Sequence, residues 1–100
     1  MQLTEFINSL QQDRPNADFS VHLKALWYDK KGDWQQAHDL VDSLTDSDSS
    51  WVHAYLHRVE GDLWNADYWY RKAGRHRPNV NLEEEWEAIV QTLLSATDSH

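Results

Sequence analysis

Two stretches of this chain carry the same small and turn-forming residues in the same order, 29 positions apart. Glycine readily adopts the left-handed conformation that ends a helix, and an aspartate after it can accept hydrogen bonds from the free amides of the next helix. Alanines at equivalent places let two helices approach closely. The shift therefore predicts two helix–turn–helix hairpins, and its identities are Ala25 on Ala54, Gly32 on Gly61, Asp33 on Asp62 and Ala37 on Ala66.

Apolar residues recur at helical spacing over most of the chain, which predicts an all-α fold of six helices in one domain over residues 1–100. The repeated hairpins cover about residues 18–44 and 47–78. Flanking helices at about 2–13 and 82–96 are expected to cap the open ends of the stack. We expect Asp18, the polar stretch 45–50 and Asn81 to supply helix caps, and residues 97–100 to fray.

Composition excludes several classes of function. The chain has 9 Lys plus Arg against 17 Asp plus Glu, a net charge of −8, so it should repel nucleic-acid backbones. It contains no cysteine, which excludes disulfides, thiolate zinc sites and cysteine nucleophiles. No apolar run approaches the ~20 residues of a membrane span, and the acidic start does not resemble a signal peptide. We expect a cytoplasmic protein without nucleic-acid or membrane partners.

Three polar residues are spaced for one helix face: His53, His57 and Glu60. This donor set suits a divalent metal, and His38 or Asp62 of a neighbouring helix can complete the site. The same side chains can instead form a structural hydrogen-bond network, or simply face solvent. General acid–base catalysis is a further alternative, although no motif supplies a nucleophile or a phosphate-binding loop. The sequence predicts no cofactor and favours a non-enzymatic role.

A basic cluster stands out from the acidic background, in the segment RKAGRHR at 71–77. Its cations can bind phosphate or an acidic peptide. They can also complement the dipole at a helix C-terminus, where Gly74 is the expected stop. The acidic run Glu83 to Glu85 follows a predicted cap, and we expect it to pair with the basic cluster across the turn.

Six tryptophans and four tyrosines form the most unusual part of the composition. Each aromatic side chain can bury ~150–250 Å², so a few of them supply much of a small core. We do not expect all six indoles of so short a chain to be buried. They form an aromatic-rich core or, alternatively, some of them line a recognition surface.

The segments GDWQQAHDLV and GDLWNADYWYRKAG resemble tetratricopeptide (TPR) repeats, and the second also resembles a Sel1-like repeat. The chain departs from the family pattern at two positions of each repeat. Val21 and Ser50 stand where the pattern has its first aromatic residue, and Lys24 and His53 stand where it has a leucine. The repeat is also shorter than the family's usual length of about 34 residues. The resemblance implies a right-handed α-α superhelix of two short hairpins, and the residues in register are Ala25, Tyr28, Gly32, Asp33, Ala37 and Val41, then Ala54, His57, Gly61, Asp62, Ala66, Tyr70, Ala73 and Pro78.

TPR-like proteins bind peptides or protein segments in a groove lined by the first helix of each pair. The resemblance therefore implies a protein–protein interaction module that binds a protein or peptide partner or a second copy of itself. Trp51, Tyr55 and Arg58 are residue types enriched at binding hot spots and are expected to form an exposed ridge, unless the N-terminal helix or a second subunit covers them. The alternative to an interaction function is a metal-binding or catalytic site formed by His38, His53, His57 and Glu60. The implied groove residues are His22, Leu26, Asp29, Trp51, Tyr55 and Arg58.

Overall fold

A computed structural model describes residues 1–98 of the chain, with side chains described through residue 96. Every regular element in this range is an α-helix, which confirms the all-α prediction. The helices are α1 (Leu3–Ser9), α2 (Val21–Lys30), α3 (Trp34–Val41), α4 (Ser47–Val59), α5 (Leu63–Lys72) and α6 (Leu82–Asp98).

The turns inside the two hairpins share one backbone geometry. Gly32 ends α2 with φ of 88°, and Gly61 ends α4 with φ of 86°, so both adopt the predicted left-handed conformation. The side chains of Asp33 and Asp62 then accept hydrogen bonds from the amide three residues later, at 3.2 and 3.3 Å. Helix α2 packs against α3, and α4 packs against α5. Each pair therefore forms a helical hairpin with the turn that the repeat predicts.

The first two helices have ends that differ from the prediction. Helix α1 ends at Ser9 rather than near Asp13. The cap of α2 is Ser20, whose hydroxyl accepts a hydrogen bond from the amide of Leu23, and not Asp18. The amide of Asp18 is bound by the side chain of Asn16 within the preceding turn. Asp18 thus belongs to that turn, two residues too early to cap the helix.

The two later caps lie in the predicted segments. Asp46 caps α4 by accepting from the amide of Ser49, so most of the polar stretch 45–50 forms the first helical turn. Asn81 accepts from the amide of Glu84 at 2.8 Å at the start of α6. Helix α6 extends through Asp98, beyond the predicted end at 96. The remaining residues expected to fray, 99–100, lie outside the described part of the chain.

The two terminal helices, which are expected to cap the ends of the stack, pack against each other. Helix α6 crosses α2 and α4 and reaches α1. The indole N–H of Trp86 donates to the carbonyl of Leu26 at 3.0 Å, and the rings of Phe6 and Trp86 lie 5.8 Å apart.

Aromatic side chains fill the core that this arrangement creates. Trp27, Trp86, Tyr70 and Phe6 are each at most 1% exposed. The indole N–H of Trp27 donates to the carbonyl of Ser9 at 3.3 Å, so its one polar atom has a partner inside the fold. Within residues 1–98, no helix combines the length and the apolar character needed to cross a membrane.

Candidate functional site

Three imidazoles converge between the two hairpins. His38 lies on α3 of the first hairpin, whereas His53 and His57 lie one turn apart on α4 of the second. The Nε2 atoms of His38 and His53 are 3.1 Å apart. One potential ligand atom from each of the three residues lies within 4.8 Å of the other two. Helices α3 and α4 are packed together, and this packing brings the predicted residues to one point.

Two tryptophans flank this histidine cluster, defined as His38, His53 and His57. The ring of Trp34 stacks on His38 with centroids 4.8 Å apart, and the ring of Trp69 stacks on His53 at 4.0 Å. The indole N–H of Trp34 donates to a backbone carbonyl of α4 at 2.7 Å, which fixes its ring. The two indoles thereby restrict the rotation of the imidazoles and exclude water from one side of each ring.

Carboxylates lie beside the Nδ1 atoms of the two outer histidines. Nδ1 of His57 is 2.6 Å from a carboxylate oxygen of Glu60, and Nδ1 of His38 is 3.9 Å from Asp42. A carboxylate at Nδ1 favours a proton on that nitrogen and leaves Nε2 with a free lone pair. Glu60 therefore orients His57 rather than joining the three imidazoles.

His53 is the most buried of the three histidines, with 4% of its surface exposed. Desolvation by burial, together with the neighbouring His57 and His38, lowers the pKa of His53 from 6.5 to about 4. The imidazole is consequently neutral at pH 7. Its Nδ1 atom is buried and has no hydrogen-bond partner in the described structure. The nitrogen of His53 that faces His38 is Nε2, and on a neutral imidazole this atom is suited to coordinate a metal.

The aromatic ridge is closed, contrary to the expectation of an exposed surface. Trp51 is 6% exposed, Tyr55 3% and Leu26 0%. Helix α6 covers this face, and the hydroxyl of Tyr55 donates to the carbonyl of Leu82 at 3.5 Å. Leu26, Tyr55 and Arg58 each contact α6, so the chain's own last helix lies where the TPR resemblance implies a groove.

Ion pairs and a tyrosine hydrogen bond hold α6 against the face that it covers. Arg58 bonds the carboxylate of Glu85 at 2.6 Å, and the hydroxyl of Tyr70 donates to the other oxygen of Glu85 at 2.5 Å. Burial, reinforced by Glu85, raises the pKa of the Tyr70 hydroxyl, which therefore remains a donor at neutral pH. Lys30 pairs with Glu83 at 2.5 Å. The acidic run thus pairs with α2 and α4, and the prediction that it pairs with the basic cluster is wrong.

The two polar residues expected on the α2 side of the groove, His22 and Asp29, are partly buried. Nε2 of His22 is 3.0 Å from both the carboxylate of Asp46 and the hydroxyl of Ser49. Hydrogen bonding from Ser49, more than from His22, holds the pKa of Asp46 at about 2. Burial raises the pKa of Asp29 to about 6, against the opposing effect of Lys30.

Trp34, Trp69 and the buried Glu85 were not identified as site residues from sequence. The two indoles follow the helical stripe that also forms the core, so their spacing does not distinguish a ring beside a histidine from a ring in the core. Glu85 occupies an acidic first turn, which is typical of an exposed helix start. Its position on the apolar side of α6, one residue before Trp86, is the only signal of burial.

No protein-family model, curated protein or solved structure matches this chain. The likeness to TPR repeats consequently rests on the residues quoted above, and the function is argued from the geometry of the sites.

Proposed function

We propose that the histidine cluster binds one divalent transition metal, with zinc as the best fit. The observation that carries the proposal is the convergence of three ligand atoms within 4.8 Å of one another, from His38, His53 and His57. Two nitrogens bound tetrahedrally to zinc at about 2.0–2.1 Å would lie about 3.3 Å apart. The observed separation of 3.1 Å between His38 and His53 is close to that value.

The surroundings of the cluster support the same proposal. Metal-binding histidines commonly donate their other N–H to a carboxylate, which fixes the ring and raises its basicity. Glu60 is placed to do this for His57, and Asp42 lies near the equivalent nitrogen of His38. Neutral nitrogen ligands favour zinc and its late transition-metal neighbours over magnesium or calcium. Three protein ligands leave a fourth position for water or for a group from a ligand.

Metal analysis and calorimetry test this function. The purified protein should carry, or take up from zinc chloride, one zinc per chain. His38→Gln and His57→Gln should each weaken zinc binding by at least about tenfold, because each removes one of the three proposed ligands. His76→Gln, an exposed histidine on another surface, is the matched control and should bind zinc normally. Absence of uptake by the wild type, or equal weakening by the control, would refute the metal site.

We also infer that the two hairpins are TPR-like repeats of a superhelix whose groove is filled by α6. Support comes from the shared Gly–Asp turns at Gly32 and Gly61, and from the common face formed by α2 and α4. An experimental structure would test this inference through the rotation that relates one hairpin to the next. A left-handed or irregular relation would exclude the superhelix.

Protein interaction is a second candidate function, favoured by an exposed aromatic face on α5 rather than by the covered groove. Trp64 is 78% exposed, Leu63 43% and Tyr68 42%. Trp64 and Tyr68 are one helical turn apart and lie on the same side. Exposed tryptophan and tyrosine are typical of interaction hot spots. We propose a second copy of this chain as the partner of this face.

Sedimentation velocity over a concentration series tests the self-association. The wild type should shift towards a dimer as concentration rises, and Trp64→Gln should remain a monomer. Gln35→Ala, on the exposed surface of α3, serves as the control and should behave like the wild type. A wild type that stays monomeric at every concentration would exclude this candidate.

A further inference from the structure

Two adjoining concavities lie at the turn between α5 and α6, and both are lined by Arg75 and His76. The first has a volume of about 410 Å³ and is bounded by Trp51 and by residues of α6. The second, of about 310 Å³, is bounded by the end of α5, including Arg71. The turn therefore offers one continuous surface with a basic centre.

The apolar half of this surface lies in the first concavity. Pro78, Val80 and Ala88 contribute to its lining beside the indole of Trp51. The guanidinium carbon of Arg75 lies 3.4 Å from the centroid of the Trp51 ring. Stacking on a buried indole fixes the guanidinium plane while leaving its N–H donors at the edge.

The basic half has positive charge that the fold does not neutralise. Arg77 is paired with Asp67 at 3.2 Å, and the nearby Glu85 is engaged by Arg58. Within the described residues, neither Arg71 nor Arg75 has a carboxylate partner. This excess of positive charge occurs in a chain whose net charge is −8. A dianion can therefore bind here without displacing an internal ion pair.

The helix dipole does not account for this arrangement. Arg71 and Lys72 lie in the last turn of α5, where cations complement the carbonyl end of a helix. Arg75 follows Gly74, whose φ of 73° ends the helical path, and Arg75 stacks on a ring of α4. Its position is set by a contact with another element, at the boundary between the apolar and basic halves.

We propose that this surface binds a phosphomonoester with a small apolar body. Arg71 and Arg75 bind the phosphate oxygens, since the guanidinium fork matches phosphate geometry. His76 contributes a further N–H donor. The apolar body packs against Pro78 and Val80. The site is separate from the histidine cluster and needs no metal.

Isothermal titration calorimetry with phenyl phosphate tests the proposal, with inorganic phosphate and phenol as partial ligands. Phenyl phosphate should bind one per chain and more tightly than inorganic phosphate, while phenol should not bind measurably. Arg75→Gln and Arg71→Gln should each weaken phenyl phosphate binding by about tenfold, because each removes charge-assisted hydrogen bonds. The His38→Gln variant should bind phenyl phosphate like the wild type, which separates this site from the proposed metal centre.

Arg14→Gln removes the same charge from a distant exposed position and is the matched control. It should leave phenyl phosphate binding unchanged. Equal weakening by Arg14→Gln would indicate general attraction to positive charge and would overturn the proposal. So would a phenyl phosphate affinity no higher than that of inorganic phosphate, because the apolar half would then have no role. If Arg75→Gln disturbs Trp51 and the fold, the proposal is judged on Arg71→Gln. Weaker phenyl phosphate binding by that variant supports the proposal, and unchanged binding overturns it.

Discussion

At the scale of single residues, Glu85 joins three helices. Its carboxylate on α6 accepts from Arg58 of α4 and from the hydroxyl of Tyr70 of α5, and the residue is 2% exposed. Both carboxylate oxygens therefore have partners inside the fold. Removing a buried carboxylate leaves the opposing charge and hydroxyl unsatisfied, which costs much more than losing an exposed ion pair.

We predict that Glu85→Ala lowers the free energy of unfolding by about 3–5 kcal/mol, as breaking a buried ion pair does elsewhere. Urea unfolding followed by circular dichroism measures this change. Glu84→Ala is the matched control because Glu84 is exposed and adjacent, and its effect should stay within about 0.5 kcal/mol. Similar effects for the two variants would mean that Glu85 does not fasten α6.

The second prediction at this scale concerns the pH dependence of stability. Burial lowers the pKa of His53 from 6.5 to about 4. Between these values the unfolded chain binds a proton that the folded chain does not, so His53 makes stability fall as pH decreases from 6.5 to 4. Asp29, whose pKa is raised to about 6, acts in the opposite direction over part of this window. The contribution of His53 is therefore measured as a difference between variants.

Thermal unfolding of the wild type and of His53→Gln between pH 7 and 4, without metal, isolates this contribution. The wild type should lose more stability than the variant on acidification, because only the wild type carries the buried imidazole. Parallel pH profiles would show that His53 is solvated in the folded protein. The Asp29→Asn variant should change the profile in the opposite sense.

Sequence reasoning predicted part of the histidine cluster. The spacing of His53 and His57 places them on one face, and His38 was a candidate because it lies on the neighbouring helix. Helical spacing does not give the angle between two hairpins, so it left open whether the three rings meet. The stacking of Trp69 on His53 lies within the second hairpin and depends on how α5 packs against α4, which helical spacing does not give either.

At the scale of elements, the hairpin turns are determined by local backbone chemistry. A Cβ atom added to Gly61 would meet no heavy atom within 4 Å, so steric contact with the rest of the fold does not explain the glycine. Glycine is favoured at position 61 only because the backbone there has a positive φ. Substitution effects here should consequently follow the ability of each residue to adopt the left-handed conformation.

We predict that Gly61→Val lowers stability by about 2 kcal/mol or more, whereas Gly61→Asn costs clearly less. Left-handed backbone costs roughly 1–2 kcal/mol for an ordinary residue, more for a β-branched one, and least for asparagine. Denaturant unfolding of both variants measures the order. Equal stability of the valine and asparagine variants would mean that the turn rearranges.

The same local rules explain which features of the elements were predicted. Glycine–aspartate turns and Asn81 depend on neighbours within a few residues, and these were identified correctly. The position of α6 depends on which apolar surface is the largest once both hairpins have formed. That surface includes Leu26 and Trp51 on separate helices, so it cannot be read from the periodicity of α6 itself.

At the scale of the whole molecule, the proposed metal centre connects the two hairpins. His38 belongs to the first hairpin, and His53 and His57 belong to the second. A metal bound by all three would oppose any separation of α3 from α4. It would also bind the folded chain far better than the unfolded one, so its binding energy would add to stability.

We predict that zinc at one hundred times its dissociation constant stabilises the protein by about 2.7 kcal/mol. For a domain of this size, that corresponds to a rise in Tm of about 10–20 °C. Differential scanning calorimetry with and without zinc chloride measures the rise. With zinc binding weakened at least tenfold, His38→Gln should show at most about half of it, roughly 1.4 kcal/mol, while His76→Gln should show all of it. A rise of the same size in His38→Gln would place the zinc elsewhere.

The docking of α6 across both hairpins has a consequence for synthesis on the ribosome. Residues up to about 80 emerge before α6, so the hairpins can form while the face containing Leu26, Trp51 and Tyr55 is still uncovered. The indole of Trp86 reaches its acceptor only when a contact spanning 60 residues can close. Until α6 has emerged and docked, the chain would therefore present this apolar face to chaperones and to other nascent chains.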